Sequence, residues 1–366
     1  MANILFLGDS ASSSTSCHRA NAIKRLGHNV VMVDPYSAFT KTLHARLLGV
    51  IHFRTGYRLL QDRIAKWLSQ VLQTKDVKPD LIWVDSGELF GPSCVKILQK
   101  INCPVVLYNV DDPTGKRDGR RFDSLVKAIP FYDLVAVVRR ESEEECKELT
   151  TKPVMRVYRS YDEIEHKPFS SASEIPEKFK SDVVFIGTWM RHEKRDEFLL
   201  TLLSNGVPVS IFGPRWQSSP LFPKLKSHWR GGMLGGREYV AAIQGAKICI
   251  GLLSKGNRDL HTTRSLEVPF AGGLLCAERT TEHQEMYREG EEAVFWSDAA
   301  ECARVCNQLL KDDTLRESIR IAGMRRVRSM KTGNEDVSNE IINTALGKHS
   351  PLSTSSRTTQ FEINKS

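Results

Sequence analysis

Short apolar runs alternate with longer segments whose apolar residues recur at helical spacing, and this alternation runs twice along the chain. In the first half, the runs 3–8, 29–33, 81–84, 104–110, 134–138 and 154–157 read as buried strands. Between them, 15–26, 57–72 and a charged segment starting near Glu141 read as helices, the first closed by Gly27. Several strands run into polar ends: Asp34-Pro35, Asp85-Ser86-Gly87-Glu88 and Asp111-Asp112-Pro113. Strands that alternate with helices predict an α/β domain with a doubly wound parallel sheet.

Residues 160–180 break the pattern, being polar and carrying two prolines, as expected of a linker. The alternation then restarts. Strands are predicted at 182–187, 207–213, 246–253 and 273–276. Helices are predicted from near His192, at 237–244 after the glycine-rich loop 231–236, and around Arg264 and Glu267. Three more helices follow near 298–310, 313–327 and 334–346. The expected organisation is an N-terminal Rossmann-like domain (1–165), a linker (166–181), a C-terminal Rossmann-like domain (182–330) and a terminal helix (331–347). The Ser/Thr-rich tail 348–366 reads as disordered. Two such domains would face each other across a cleft.

A chain of 366 residues, 40% hydrophobic and 26% charged, holds enough apolar material for two cores. The net charge of +8 suits a phosphate-bearing ligand, an acidic polymer or an anionic membrane surface, and is too dispersed to insist on nucleic acid. The N-terminal residues lack a basic region and an extended apolar region, so a secretory signal is not expected. No run approaches the ~18 apolar residues of a membrane span. The eight cysteines have no Cys-x-x-Cys spacing and read as core thiols of a cytoplasmic protein.

The densest chemistry lies between Asp259 and Glu267, two carboxylates with seven residues between them. Arg264 stands one helical turn before Glu267, so the two share a helix face. At the carboxyl edge of an α/β sheet the arginine could meet phosphate while the carboxylate accepts from ribose hydroxyls. The plain alternative is a salt bridge on a solvated helix. In the first half, Asp111 and Asp112 end a strand where a carboxylate could take an acceptor proton as general base, with Asp85 and Glu88 in reserve. Their alternative is an Asp-Pro turn that caps the next helix.

The loop from Gly8 to Ser14 has one glycine where a dinucleotide fold needs three, which argues against NAD or FAD. No histidine pair has metal-ligand spacing, and no Gly-x-Ser-x-Gly or phosphate-binding loop occurs, so no metal site is expected and hydrolase and ATPase readings lack their central residue. His18 and His261 fall in cleft loops and read as hydrogen-bonding residues. The stretch 41–72 mixes Arg46, Arg54, Arg58, Arg63 and Lys66 with apolar residues. It reads either as an ordinary helix with a basic face or as a peripheral membrane contact.

With these residues placed, the chain resembles the two-Rossmann-domain (GT-B) nucleotide-sugar glycosyltransferases, and within them the CgeB-like group typified by a spore maturation protein. The resemblance is densest over 182–330. It is carried by Phe185-Ile186-Gly187-Thr188-Trp189, Arg195-Asp196-Glu197-Phe198, Val209–Gly213, Glu238-Tyr239, Ala246-Lys247-Ile248, Arg264-Ser265-Leu266-Glu267 and Glu291–Phe295. The first half agrees more loosely, through Pro79–Val84, Tyr108–Pro113 and Arg159-Ser160-Tyr161-Asp162 with His166-Lys167-Pro168.

The resemblance implies that Glu267 holds the ribose of the nucleotide and that Asp259 lies near the donor sugar, where Glu is commoner. Arg195 would meet the diphosphate beside Gly187, with Gly8 opposite. Some relatives carry a basic residue directly after the strand glycine. Here that position is Thr188, which leaves Arg191 or Lys194 to compensate.

The expected activity is transfer of a sugar from a nucleoside-diphosphate donor to a hydroxyl of a glycan, lipid or protein, as in polysaccharide biosynthesis. The C-terminal domain would hold the donor and the N-terminal domain the acceptor. Asp112, Asp111 and Asp259 are the catalytic candidates, no metal or cofactor beyond the co-substrate is expected, and C-terminal helices would cross back to the N-domain. A GT-B protein that binds a nucleotide sugar or glycan without transfer is the alternative, and a nucleic-acid-binding protein is a weaker one.

Overall fold

Strands buried on both faces should be apolar, and the central runs 4–7, 81–84, 105–108 and 183–186 are. The computed structural model describes residues 1–74 and 78–348, and the tail from 349 lies outside the described residues. The first sheet contains β1 (Asn3–Leu7), β2 (Asn29–Val33), β3 (Leu81–Asp85), β4 (Val105–Asn109), β5 (Leu134–Val137) and β6 (Val154–Arg156), in the order β2-β1-β3-β4-β5-β6. The second contains β7 (Ser181–Ile186), β8 (Val209–Phe212), β9 (Trp229–Gly231), β10 (Ala246–Gly251), β11 (Leu275–Glu278) and β12 (Val294–Trp296), in the order β12-β11-β10-β7-β8-β9.

Every strand pair is parallel. The second sheet has the full Rossmann order and the first the flavodoxin-like order with one strand added. The strand order reverses between β1 and β3 in one sheet and between β7 and β10 in the other. The crevices at these reversals are where such folds bind ligands.

Period-2 alternation splits each sheet's residues between two cores. Leu5, Leu7, Ile82 and Val84 face one layer of the first domain, while Ile4, Phe6, Leu81 and Trp83 face the other. That second layer is completed by Ala20 and Ile23 of the helix Thr15–Arg25 and by Val337, Ile341 and Ile342 of the helix Asn334–Ala345. The last described helix therefore crosses back to the first domain.

The pattern gave no helix over Pro92–Gln99, although Pro92 occupies a favoured first position. It also missed the edge strands β9 and β12, which at three residues each are too short to show a period. The polar segment after β6 is more than a tether. Ile175 and Phe179 are buried in the second domain's core, and Tyr161 stacks on Phe270 with centroids 3.9 Å apart.

Candidate functional site

At the reversal in the second sheet, Arg195 opens the helix Arg195–Ser204 directly after the loop that leaves β7. Its guanidinium donates to the carbonyls of Thr188 (2.9 Å) and Leu253 (3.2 Å), and so joins the loops after β7 and β10. Its Nε is buried with no partner. Burial, reinforced by Arg264 and Arg117 and opposed by Glu193, lowers the Arg195 pKa to about 10, so it keeps its charge at neutral pH. Arg264 begins the helix Arg264–Phe270, and among the described residues it has neither an ion-pair nor a hydrogen-bond partner; its Nε is also buried and unpaired. Buried cations are ordinarily paired. The buried Arg195 and the half-buried Arg264, neither with a carboxylate in ion-pair contact among the described residues and set close enough to repel at a sheet's ligand crevice, leave room for an anion.

The helix that presents Arg264 and Glu267 is held by a defined relay. The Thr262 N–H donates to Ser265 Oγ at 3.0 Å, and that hydroxyl meets His283 Nε2 at 2.7 Å. The other ring nitrogen, Nδ1, faces the Glu278 carbonyl at 2.6 Å and must therefore donate to it. The neutral imidazole, accepting from Ser265, satisfies all three partners. Tyr287 OH donates to the Ser265 carbonyl at 2.7 Å.

Glu267 is nearly buried and accepts from Tyr239 OH at 2.6 Å, while its second oxygen lies 3.6 Å from His166 Nε2. It opens on a cavity of about 130 Å³ between the domains, where Arg159, His166 and Thr263 face Arg19 and Tyr108. His18 lines the same cavity and bonds the Ser12 carbonyl. His261 is instead buried, its Nδ1 on Glu282 and its Nε2 accepting from the Arg159 N–H at 3.2 Å.

The four acids at the first domain's edge differ sharply. Asp85 is bound by Arg19 at 2.8 and 2.9 Å, and Glu88 by Arg121 at 2.6 Å. Asp112 is gripped through both oxygens by Arg258 at 2.8 and 2.6 Å. Asp111 lies 3.8 Å from its nearest cation and its side chain is 34% exposed, against 8%, 9% and 2% for Asp85, Glu88 and Asp112. Of the two adjacent candidates, Asp112 is occupied across the domain boundary by Arg258, and Asp111 is the more exposed.

Asp259, the other catalytic candidate, is likewise engaged by arginines. Its carboxylate is clasped by Arg139 of the first domain and by Arg159 at 3.1 Å. Sequence periodicity could not find Arg139 or Arg258, because their partners lie far away in the chain.

Both glycines have packing roles. Gly187 donates its N–H to the Phe212 carbonyl at 2.9 Å and its own carbonyl accepts from Trp216 Nε1, so its backbone polar atoms are engaged within the sheet edge. A Cβ on Gly8 would stand 2.3 Å from Ser16 Oγ, and the Gly8 N–H is bonded to Val33. Arg191 is exposed, and Lys194 faces Glu197 at 3.8 Å. The one group of three metal-ligating side chains among the described residues is Cys276, Cys302 and Cys306. It is buried among apolar residues of the second domain's core, away from both crevices.

Residues 191–337 match a family model described as glycosyl transferase-like. No curated protein matches the chain at a significant level. Among solved structures, the sucrose-phosphate synthase of Thermosynechococcus elongatus superposes with a TM-score of 0.66 at 13% identity, covering 95% of this chain and 100% of that one. HepE of Anabaena, solved with UDP-glucose, gives 0.66 at 15% identity with the same coverage. A UDP-forming trehalose-phosphate synthase of Burkholderia xenovorans gives 0.61 at 12% identity, covering 95% and 99%. At these identities the structural likeness shows the fold, which is GT-B.

Proposed function

We propose that this protein is a glycosyltransferase that takes a sugar from a nucleoside-diphosphate donor held by the second domain to an acceptor hydroxyl held by the first. The observation that carries the reading is the pair Arg195 and Arg264: two cations without carboxylate partners, at the strand-order reversal of a GT-B fold, within the segment that matches the glycosyl transferase-like family. A diphosphate supplies the missing counter-charge. HepE, of the same fold, is solved with UDP-glucose, which supports this class of ligand.

In the proposed reaction the acceptor oxygen bonds to the anomeric carbon, the bond from that carbon to the diphosphate breaks, and the acceptor proton passes to Asp111. Arg195 and Arg264 face the charge that develops on the departing diphosphate, aided by the amino end of the helix Arg195–Ser204. Glu267 accepts from the ribose hydroxyls. The positive charge comes from arginines, so the reaction is proposed to need no divalent metal and no cofactor beyond the nucleotide sugar. Donor hydrolysis by metal-stripped protein, with and without EDTA, tests this: restoration by manganese or magnesium alone would assign the leaving group to a cation.

The direct test of the site is a thermal-shift and calorimetric series with nucleoside diphosphates, since a ligand that binds only the folded state raises apparent stability. Glu267→Gln keeps an acceptor for Tyr239 and should lower affinity about ten- to hundredfold, the range of a hydrogen bond to a charged group at roughly 1.5–3 kcal/mol. An unchanged dissociation constant would remove Glu267 from the site. The second reading, a nucleotide-sugar- or glycan-binding protein without transfer, draws on the neutralised Asp112 and Asp259. It is distinguished by nucleotide affinity without donor hydrolysis or transfer.

A further inference from the structure

The segment between β2 and the helix Gln61–Thr74 is built inside out. In the helix Leu48–Arg54 the one buried side chain is His52, while Leu48, Val50, Ile51 and Phe53 are 53%, 49%, 44% and 38% exposed. Leu47 before it is 77% exposed and Leu59 after it 59%. Of the eleven large apolar residues exposed among the described residues, six fall between 47 and 59. A surface helix of a water-facing protein turns its apolar side inward. Single exposed apolar residues are ordinary, but a contiguous group marks a contact surface.

Charge identifies what the surface meets. No Asp or Glu occurs between Asp34 and Asp62, whereas Lys41, Arg46, Arg54 and Arg58 do, all exposed. None of these four forms an ion pair among the described residues, although arginines elsewhere are widely paired, as in Arg121 with Glu88 and Arg258 with Asp112. Apolar side chains interspersed with unneutralised cations match the interface of an anionic bilayer, where acyl chains take the first and headgroup phosphates the second. The segment is not a loose flap: Phe39, Tyr57 and Leu60 are buried beneath it, and Ser124 Oγ bonds the Gly56 carbonyl.

We propose that the ridge 41–59 is a docking surface for an anionic membrane. It adjoins the first domain's acids directly, for the Arg121 guanidinium lies over the Phe53 ring at 5.2 Å while pairing with Glu88 and facing Asp111. Docking would set that edge of the first domain close to the headgroups. The inference stands on exposure and charge and does not depend on the transfer reaction.

Flotation of the full chain with neutral phosphatidylcholine vesicles, and with vesicles containing phosphatidylglycerol, tests it. Binding is expected with the anionic vesicles only, and to weaken with added salt. Arg54→Ala with Arg58→Ala should lower partition about twenty-five-fold, at roughly fivefold for each cation near the surface. Leu47→Ser with Ile51→Ser should lower it at least about tenfold. All four residues are exposed, so the variants should keep the wild-type melting temperature and nucleotide response, which separates docking from folding and from the proposed activity.

Three results would overturn the proposal. One is failure to float with anionic vesicles. Another is binding lost with the arginines but indifferent to Leu47 and Ile51, which would make it generic electrostatic adsorption. The third is a concentration-dependent dimer in light scattering that the Leu47/Ile51 variant abolishes, which would assign the ridge to self-association.

Discussion

Arg195 and Arg264 hold charge with no carboxylate in ion-pair contact among the described residues, although Glu193 acts on Arg195 from further away. Burial disfavours the charged form of Arg195, lowering its pKa to about 10, and a bound diphosphate would relieve that penalty. Arg195→Ala should therefore abolish the thermal shift produced by nucleoside diphosphate. Arg195→Lys should restore only part of it, because a lysine cannot bridge the Thr188 and Leu253 carbonyls and still present a planar fork. Equal recovery by lysine would reduce the role to a point charge. The acids give a second contrast. Asp111→Asn should cut turnover at least about a hundredfold, the lower end of general-base contributions, with nucleotide affinity unchanged. Asp112→Asn should act mainly on domain closure, since Asp112 is held by Arg258. The reverse pattern would return the base to Asp112.

The element that orders this chemistry is the helix Arg264–Phe270, and its support is titratable. Burial, reinforced by the nearby His261, holds His283 near a pKa of about 4, below its ordinary value, and protonation would also break the bond accepted from Ser265. The unfolded chain binds a proton near pH 6.5 while the folded chain does not until about pH 4, so stability is full above pH 6.5 and falls as the pH drops through that window. At pH 5 the loss from this residue is about 2 kcal/mol, at roughly 1.36 kcal/mol per unit. Urea unfolding at pH 7 and pH 5 measures it, and His283→Gln should flatten the difference. An unflattened difference would place the acid sensitivity elsewhere.

Sequence reading works best for such elements. The longer strands were legible because their central residues are apolar on both faces, and the Arg264–Glu267 helix face because both residues lie one turn apart. The engagements of Asp112, Asp259 and Gly187 were not legible. They depend on Arg258, Arg139 and Phe212, which meet them only after the domains and sheet assemble. Residues 160–180 had the composition of a linker, yet Ser160, Asp162 and His166 line the cavity that Glu267 faces.

At the scale of the whole molecule, the two domains meet along a seam of charges. Arg258 pairs with Asp112 and Glu145, Arg139 with Asp259, Arg156 with Glu282 and Arg140 with Glu285. Arg258 reaches across from a left-handed backbone conformation (φ 53°), uncommon for a non-glycine residue and tolerated where surrounding contacts enforce it. In the closed arrangement Asp112 is almost wholly buried, so Arg258→Ala would leave a buried carboxylate with no cation. Separation of the domains returns that carboxylate to water, a relief that unfolding is not needed to provide. The substitution should therefore shift the balance from closed to open by about ten- to hundredfold, the equivalent of roughly 1.5–3 kcal/mol for hydrogen bonds to a charged group. Small-angle scattering should show a larger radius of gyration with the melting temperature little changed, and saturating nucleoside diphosphate should reverse part of the expansion if the cleft closes on it. Adding Asp112→Asn removes the stranded charge and should restore part of the compaction. If Arg258→Ala instead leaves the radius unchanged and lowers stability by about 3–5 kcal/mol, the cost of breaking a buried pair, the seam is a fixed brace between the domains and the cleft does not open through it.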